Sequence, residues 1–302
     1  MKKYLPPFAV IFTAILWSLD GFIRQNLFSL PSFLIISLEH IIGAIIFLPL
    51  LFKGWKEISS LNQRGWISVL WISICGGILG TFFYTKALSY VNHIDLSVVV
   101  LLQKFQPVFA IALAAVILKE KITSKFLILA VMAIVGGYFV TFGTSSMNTW
   151  DDKTIIASLL ALLAAFSWGS STVLGKHALK RLSFKTVTSL RLTITGAITF
   201  FILFSTDQYE AIEKMTLSNW AYIILIVIST GSLALFIYYY GLNHLPASHA
   251  TLYELFWPLS AVAFDWFIRG NMMSPAQWFG ALLLLGSIVL LTREDSIGQT
   301  DY

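Results

Sequence analysis

The sequence predicts an all-α membrane protein of ten transmembrane helices in two inverted five-helix repeats, with both termini cytoplasmic. Three observations predict it. Of the 302 residues, 57% are hydrophobic and only 12% charged, whereas soluble domains carry about 25% charged residues. Residues 126–150, 154–175 and 215–253 contain no Asp, Glu, Lys or Arg, and each run outlasts the roughly 20 residues that a bilayer core requires. Finally, the chain matches itself when shifted by 151 positions.

Hydropathy and turn punctuation place the helices in order. Pro7 to Ile23 is the first, read as a retained span because no small-x-small cleavage site follows it. Phe33 to Phe52 follows Pro31 and stops at Lys53-Gly54, and Trp66 to Leu88 opens on an interfacial tryptophan. Leu96 to Leu118 carries Pro107 and ends at a run of lysines; Phe126 to Phe142 closes the first half at Gly143. The second half repeats the series as Thr154 to Lys176, Lys185 to Ser205, Asn219 to Leu242, Ser248 to Ile268 and Ala276 to Thr292. The expected division is residues 1–143 and 154–295 as repeats, 144–153 as linker and 296–302 as a polar tail. Short polar connections leave no room for an inserted soluble domain, so function is expected inside the bundle.

Charge sets the orientation. With the N-terminus inside, the inner segments hold Lys2, Lys3, Lys53, Lys56, Arg64, Lys119, Lys121, Lys125, Lys176, Lys180, Arg181, Lys185 and Arg293, and the outer ones Arg24, Lys153, Lys214 and Arg269. This asymmetry obeys the positive-inside rule. It also accounts for the net charge of +5 without a basic stripe suited to nucleic acid. The expected location is a bacterial inner membrane, the expected partners are a small-molecule substrate and membrane lipid, and the expected state is monomer or homodimer. The single cysteine, Cys75, has no mate for an intrachain disulfide. No cofactor and no metal is expected.

The shift by 151 aligns Ala14 with Ala165, Trp17 with Trp168, Ser32-Phe33 with Ser183-Phe184, Gly80 with Gly231, Pro107 with Pro258 and Thr141 with Thr292. Because each half has an odd number of spans, the second enters the membrane from the opposite side. Inverted repeats allow two equivalent states, each open to one side of a midplane site, and so point to alternating-access transport.

The Trp17-Ser18 and Trp168-Gly169 pairs, the Pro107-Val108 and Pro258-Leu259 steps, and Leu118-Lys119-Glu120-Lys121-Ile122-Thr123 together resemble the EamA-type branch of the drug/metabolite transporter superfamily. The resemblance covers nearly the whole chain. It implies a ten-helix fold with a central cavity and export or exchange of amino acids or related metabolites. Lys119 stands where that family commonly has glycine, and Asn271 replaces Glu120's counterpart in the second half. The first helix offers Asp20 near its outer end instead of the embedded glutamate of the short multidrug relatives, so their proton-exchange mechanism does not carry over.

Ionisable groups within spans cost about 2.5–3.5 kcal/mol on insertion scales and usually face a partner or a wet cavity. The candidates are Glu254, Lys104, Arg191, Glu39 and His40. Glu254 lies four residues before Pro258, and a proline deprives the carbonyl of residue i−4 of its helical donor, so Glu254's own carbonyl is expected to be open. The repeat puts Gln103 at the matching point before Pro107. Lys104 is expected to bind an anionic group or pair with an acid, and Arg191 offers a fork for a carboxylate. Glu254, Glu39 and His40 are the candidates for proton coupling. Asp20 and Arg24, spaced i,i+4, read as a helix-end salt bridge. Among the aromatics, Trp17, Trp168, Trp257 and Tyr253 are placed near the matched prolines or tryptophans and are candidate cavity lining.

No enzyme motif is present. Gly169 to Lys176 has five residues between its glycines and His177 where a phosphate loop needs Ser or Thr. The expected function is secondary transport, with export of an amino-acid-like metabolite first. Import or exchange of an anionic metabolite such as a nucleotide sugar is the alternative, and an intramembrane lipid-modifying enzyme built on Glu39-His40 is the rival of another class.

Overall fold

A computed structural model describes residues 4–27, 29–88, 102–103, 105–143, 152–270 and 272–298. All regular structure among the described residues is helical. In the first half, α1 (Leu5–Arg24) opens on Pro6 and Pro7, where a helix has no amide partner to lose. Then come α2 (Ser32–Lys53), the short α3 (Trp55–Ser59) and α4 (Gln63–Trp71). Asn62 starts α4 by accepting from the Gly65 amide at 3.0 Å. The backbone widens to a π-helix over Ile72–Leu79, around Gly76 and Gly77, before α5 (Gly80–Leu88). After α6 (Gln106–Leu113) and a second π segment, Ala114–Leu118, Lys119 ends the helix in the left-handed region at φ 60°. Thr123 caps α7 (Ser124–Phe142).

The second half comprises α8 (Asp152–Ala178), α9 (Phe184–Ser205), α10 (Leu217–Ile228), α11 (Ser232–His244), α12 (Ala247–Tyr253), α13 (Phe256–Arg269) and α14 (Pro275–Gly298). Thr216 and Asn219 form a reciprocal capping box at the start of α10.

Eight helical stretches among the described residues are long and apolar enough to cross a bilayer. The two expected spans outside that set fall short for separate reasons. The fourth is described as a continuous helix only over Gln106–Leu118. The ninth is divided at Glu254-Leu255, just ahead of Pro258. There the expectation of an open carbonyl is corrected: the Glu254 carbonyl accepts from the Trp257 amide at 3.0 Å. The chain tightens into an i→i+3 turn at the break, which satisfies the acceptor that proline would otherwise strand.

The packing repeats with the sequence. α1 lies against α11 and α13, and its counterpart α8 lies against α5 and α6; α2 packs on its own counterpart α9, and α7 on α14. Exchanging the halves therefore reproduces the contact pattern, as expected of a two-repeat bundle. Apolar residues also cover the lipid-facing side: Ile45, Phe52, Phe201, Phe267 and Leu282 are all exposed, which a bilayer tolerates and water does not.

Candidate functional site

The groups brought together inside the bundle come from four helices, α6, α8, α11 and α12, and so from both repeats. Glu254 ends α12 and is partly buried. Its Oε1 accepts from the Tyr238 hydroxyl of α11 at 2.6 Å and from Thr172 Oγ1 of α8 at 3.4 Å; its Oε2 accepts from Gln106 Nε2 of α6 at 2.6 Å. Thr172 and Tyr238 are themselves 2.9 Å apart. A carboxylate is acceptor-only when ionised, and all three partners supply O–H or N–H. In that form the neutral donors would satisfy its oxygens without cancelling the charge.

Gln103 reaches this cluster indirectly, donating from Nε2 to Gln106 Oε1 at 3.4 Å. Trp17 supplies an aromatic wall, its ring centroid 5.2 Å from that of Tyr238. On the next residue along α11, Tyr239 accepts from Arg191 Nη1 at 2.9 Å. Arg191 Nε is buried without a hydrogen-bond partner. Gly76 lets the guanidinium in: a Cβ there would lie 2.9 Å from Arg191 Nη2. Glu254 and Arg191 are thus served by adjacent tyrosines, and no salt bridge joins them among the described residues.

Other expected site residues are elsewhere or differently engaged. Trp168 meets Tyr84 in a tilted pair, ring centroids 5.6 Å apart, and packs over Gly80, on the α5–α8 side. Tyr253 is fully buried, next to Glu254 in the chain, and Trp257 is partly buried just beyond the helix break. Lys104 lies outside the described residues. Glu39 and His40 do not act as a pair: His40 Nδ1 is 2.8 Å from the Ile36 carbonyl of its own helix, whereas Glu39 joins an ionic cluster near the end of α1. There Arg24 binds Asp20 through Nε at 2.6 Å and Glu39 through Nη2 at 3.0 Å, and Thr230 donates to Asp20 at 2.7 Å. The i,i+4 pair expected from sequence is present, with two further partners.

Removing the cation would leave two carboxylates facing each other. Arg24→Met is expected to destabilise the protein by about 1–2 kcal/mol, below the range for fully buried pairs because a quarter of the side chain is exposed. Thermal unfolding in detergent checks it: adding Glu39→Gln to Arg24→Met should recover part of the loss, and strictly additive losses would exclude the coupling.

Sequence reasoning missed Gln106, Thr172, Tyr238 and Tyr239. Gln106 carried a weak signal, three residues after Gln103 and immediately before Pro107; hydroxyl residues in a membrane helix carry almost none.

Comparison with known proteins decides the family. The model of the EamA-like transporter family matches residues 6–142 and again 155–293. The chain belongs to the EamA-like transporter family. Among relatives of this EamA-like transporter, the riboflavin transporter ImpX of Fusobacterium nucleatum subsp. nucleatum is 38% identical over 288 residues, covering 94% of this chain and 96% of that protein. A riboflavin transporter of Brucella anthropi is 24% identical, covering 88% and 90% of the two chains. One of Vibrio cholerae is 23% identical, covering 88% and 84%. A crystal structure of a protein 17% identical superposes with a TM-score of 0.73 over 96% of this chain and 97% of that one, which supports the fold alone. The EamA-like protein is thus a multi-pass integral membrane transporter. Its family and relatives point away from catalysis, and amino-acid export has no specific support among them.

Proposed function

We propose that this transporter carries riboflavin, or a flavin close to it, across a bacterial inner membrane by alternating access. The observation that carries the proposal is the 38% identity, across 94% of the chain, to a protein named as a riboflavin transporter. The geometry is compatible with such a solute. Riboflavin presents a flat tricycle with an imide edge and a neutral polyol tail; Trp17 and Tyr238 offer ring faces, and Gln106, Thr172 and Glu254 offer both donors and acceptors. Arg191, with an unused Nε donor, suits a carbonyl at the far end of the same solute. Gln103, Trp168, Trp257, Tyr253 and Lys104 stay in the proposal as residues of the binding helices.

The proposed architecture is ten spans in two inverted repeats, residues 1–143 and 154–295, with the lysine-rich ends and both termini in the cytoplasm. Glu254 is the proposed proton carrier if flux is coupled to protons, with Glu39 held by Arg24 and therefore secondary.

Counterflow in proteoliposomes tests the substrate. Vesicles loaded with unlabelled riboflavin should accumulate labelled riboflavin saturably, and excess lumiflavin should compete. Exchange confined to vesicles loaded with amino acids or nucleotide sugars would replace the flavin with those solutes. Right-side-out and inside-out vesicles read the direction of net flux.

A further inference from the structure

The connection from α11 to α12, residues 245–246, is held at its two ends by charged groups of α8 and of the turn between α6 and α7. Lys176, near the end of α8, donates from Nζ to the carbonyl oxygens of Leu242 at 3.0 Å and Asn243 at 2.9 Å. These oxygens end α11, where carbonyls lack helical donors and a cation is favoured. Glu120, in the turn between α6 and α7, accepts from the Ala247 amide at 2.7 Å, the Ser248 amide at 3.0 Å and the Ser248 hydroxyl at 2.6 Å. It thereby closes the start of α12. Seven residues long, α12 is followed directly by Glu254 as its C-cap, so about two helical turns carry the Glu120 contact at one end and the central carboxylate at the other.

The repeat shows that this arrangement is one-sided. The shift by 151 takes Lys119 to Gly270, and both adopt the left-handed conformation, at φ 60° and 75°; the register therefore holds in the backbone. The same shift takes Glu120 to Asn271 and Lys176 to Gln25. Gln25, in the turn just after α1, donates to the Phe22 carbonyl of α1 at 3.0 Å. Both charges at one end correspond to neutral amides at the other. The Arg24 cluster does not offset this, because it ties α1 to Glu39 of α2 and to Thr230 just ahead of α11, a helix that already packs on α1.

We infer that Glu120 and Lys176 are positioning residues that hold the inner mouth closed over the Glu254 helix, biasing the resting transporter toward the state open to the outside. The inference rests on the alternating access and orientation proposed above. Closing the outer mouth must pull these charge-assisted contacts apart, whereas the matching positions at the other end carry neutral amides, whose hydrogen bonds are weaker.

Ser248, Thr251 and Glu254 recur at spacing three on one face of α12, and Thr251 is fully buried between the other two. Thr251→Cys in a Cys75→Ala background is therefore the reporter, labelled with a membrane-impermeant maleimide in inside-out and right-side-out vesicles. Copying the outer residues inward, as Glu120→Asn with Lys176→Gln, should raise labelling from the inner side about tenfold and lower it from the outer side. Ser248→Ala, which removes one donor and no charge, should give a smaller change of the same sign. Glu57→Gln is the control: the Glu57 carboxylate on α3 accepts at 2.7 Å from the amide of Ser183, which caps α9, and the change should leave labelling unchanged. Equal labelling with and without the latch residues, or the same rise in Glu57→Gln, would overturn the inference. A separate cysteine at exposed Ser60 reports orientation: labelling there from the outside would refute the orientation while leaving the latch, with its sides exchanged, to be judged by Thr251→Cys.

Discussion

Glu254→Gln is expected to lower kcat/KM for flavin exchange by on the order of tenfold to a hundredfold while leaving the protein folded. The carboxylate accepts from Tyr238, Thr172 and Gln106. An amide of the same shape has one acceptor and one donor end. If its NH2 faces Gln106, two N–H groups oppose each other, and Gln106 cannot turn freely because its Oε1 accepts from Gln103. If it faces Tyr238, that hydroxyl must reverse and lose its present acceptor. Either outcome costs about 1–3 kcal/mol, the price of a polar group left unmatched out of water. The loss falls on the link between α12 and α8, α6 and α11, which the proposed alternating access would remake at each turnover. Counterflow with wild type and Glu254→Gln in parallel reads the effect, and a pH gradient across the same vesicles reads proton coupling. Unchanged exchange would remove Glu254 from the transport path. Lost gradient dependence with exchange retained would make it the proton carrier alone.

Part of this site was visible in the sequence because membranes penalise charge. Glu254 and Arg191 stood out as ionisable residues within expected spans, Arg191 only about two turns in, and the Pro107/Pro258 pair marked the helices that carry Gln106 and Glu254. Asp20 and Arg24 were legible as an i,i+4 pair on one helix. The connection of Arg24 to Glu39 was not, since it depends on how α1 approaches α2. Gln106, Thr172 and Tyr238 escaped for a similar reason: neutral polar groups insert at modest cost, so only tertiary approach shows that three of them converge on one carboxylate. The ten spans were read from hydropathy, but hydropathy is blind to backbone bonding. The π segments around Gly76 and before Lys119, and the turn in which Trp257 closes on the Glu254 carbonyl, leave no mark on it. Lys119 shows the converse. It stands where the family commonly has glycine, a difference visible in the sequence without its meaning; the left-handed backbone there, matched at Gly270, is a conformation that glycine adopts more readily than lysine.

The largest expected effect on stability lies away from the site, where α7 meets α14. A Cβ on Gly136 would lie 2.7 Å from the Leu284 amide nitrogen and 2.9 Å from the Gly280 carbonyl oxygen; one on Gly280 would lie 2.7 Å from the Gly136 oxygen. Each glycine faces backbone, which cannot rotate aside as a side chain can. In lipid, such close approach supplies much of the attraction between helices, since tails solvate apolar side chains as well as protein does. Gly136→Leu must push the helices apart along their length or break α7, at a cost of about 3 kcal/mol or more. The apparent melting temperature in detergent should fall by about 5–10 °C, with a smaller fall for Gly136→Ala. The neighbouring Gly137 is the internal control, because its added Cβ meets only Leu255 Cδ2 at 3.7 Å, an ordinary contact. Gly137→Ala should therefore leave melting within a degree or two of wild type, an effect below about 1 kcal/mol. Equal losses at 136 and 137 would mean that both act through helix flexibility instead of contact, and the close α7–α14 seam would lose its role in holding the two repeats together.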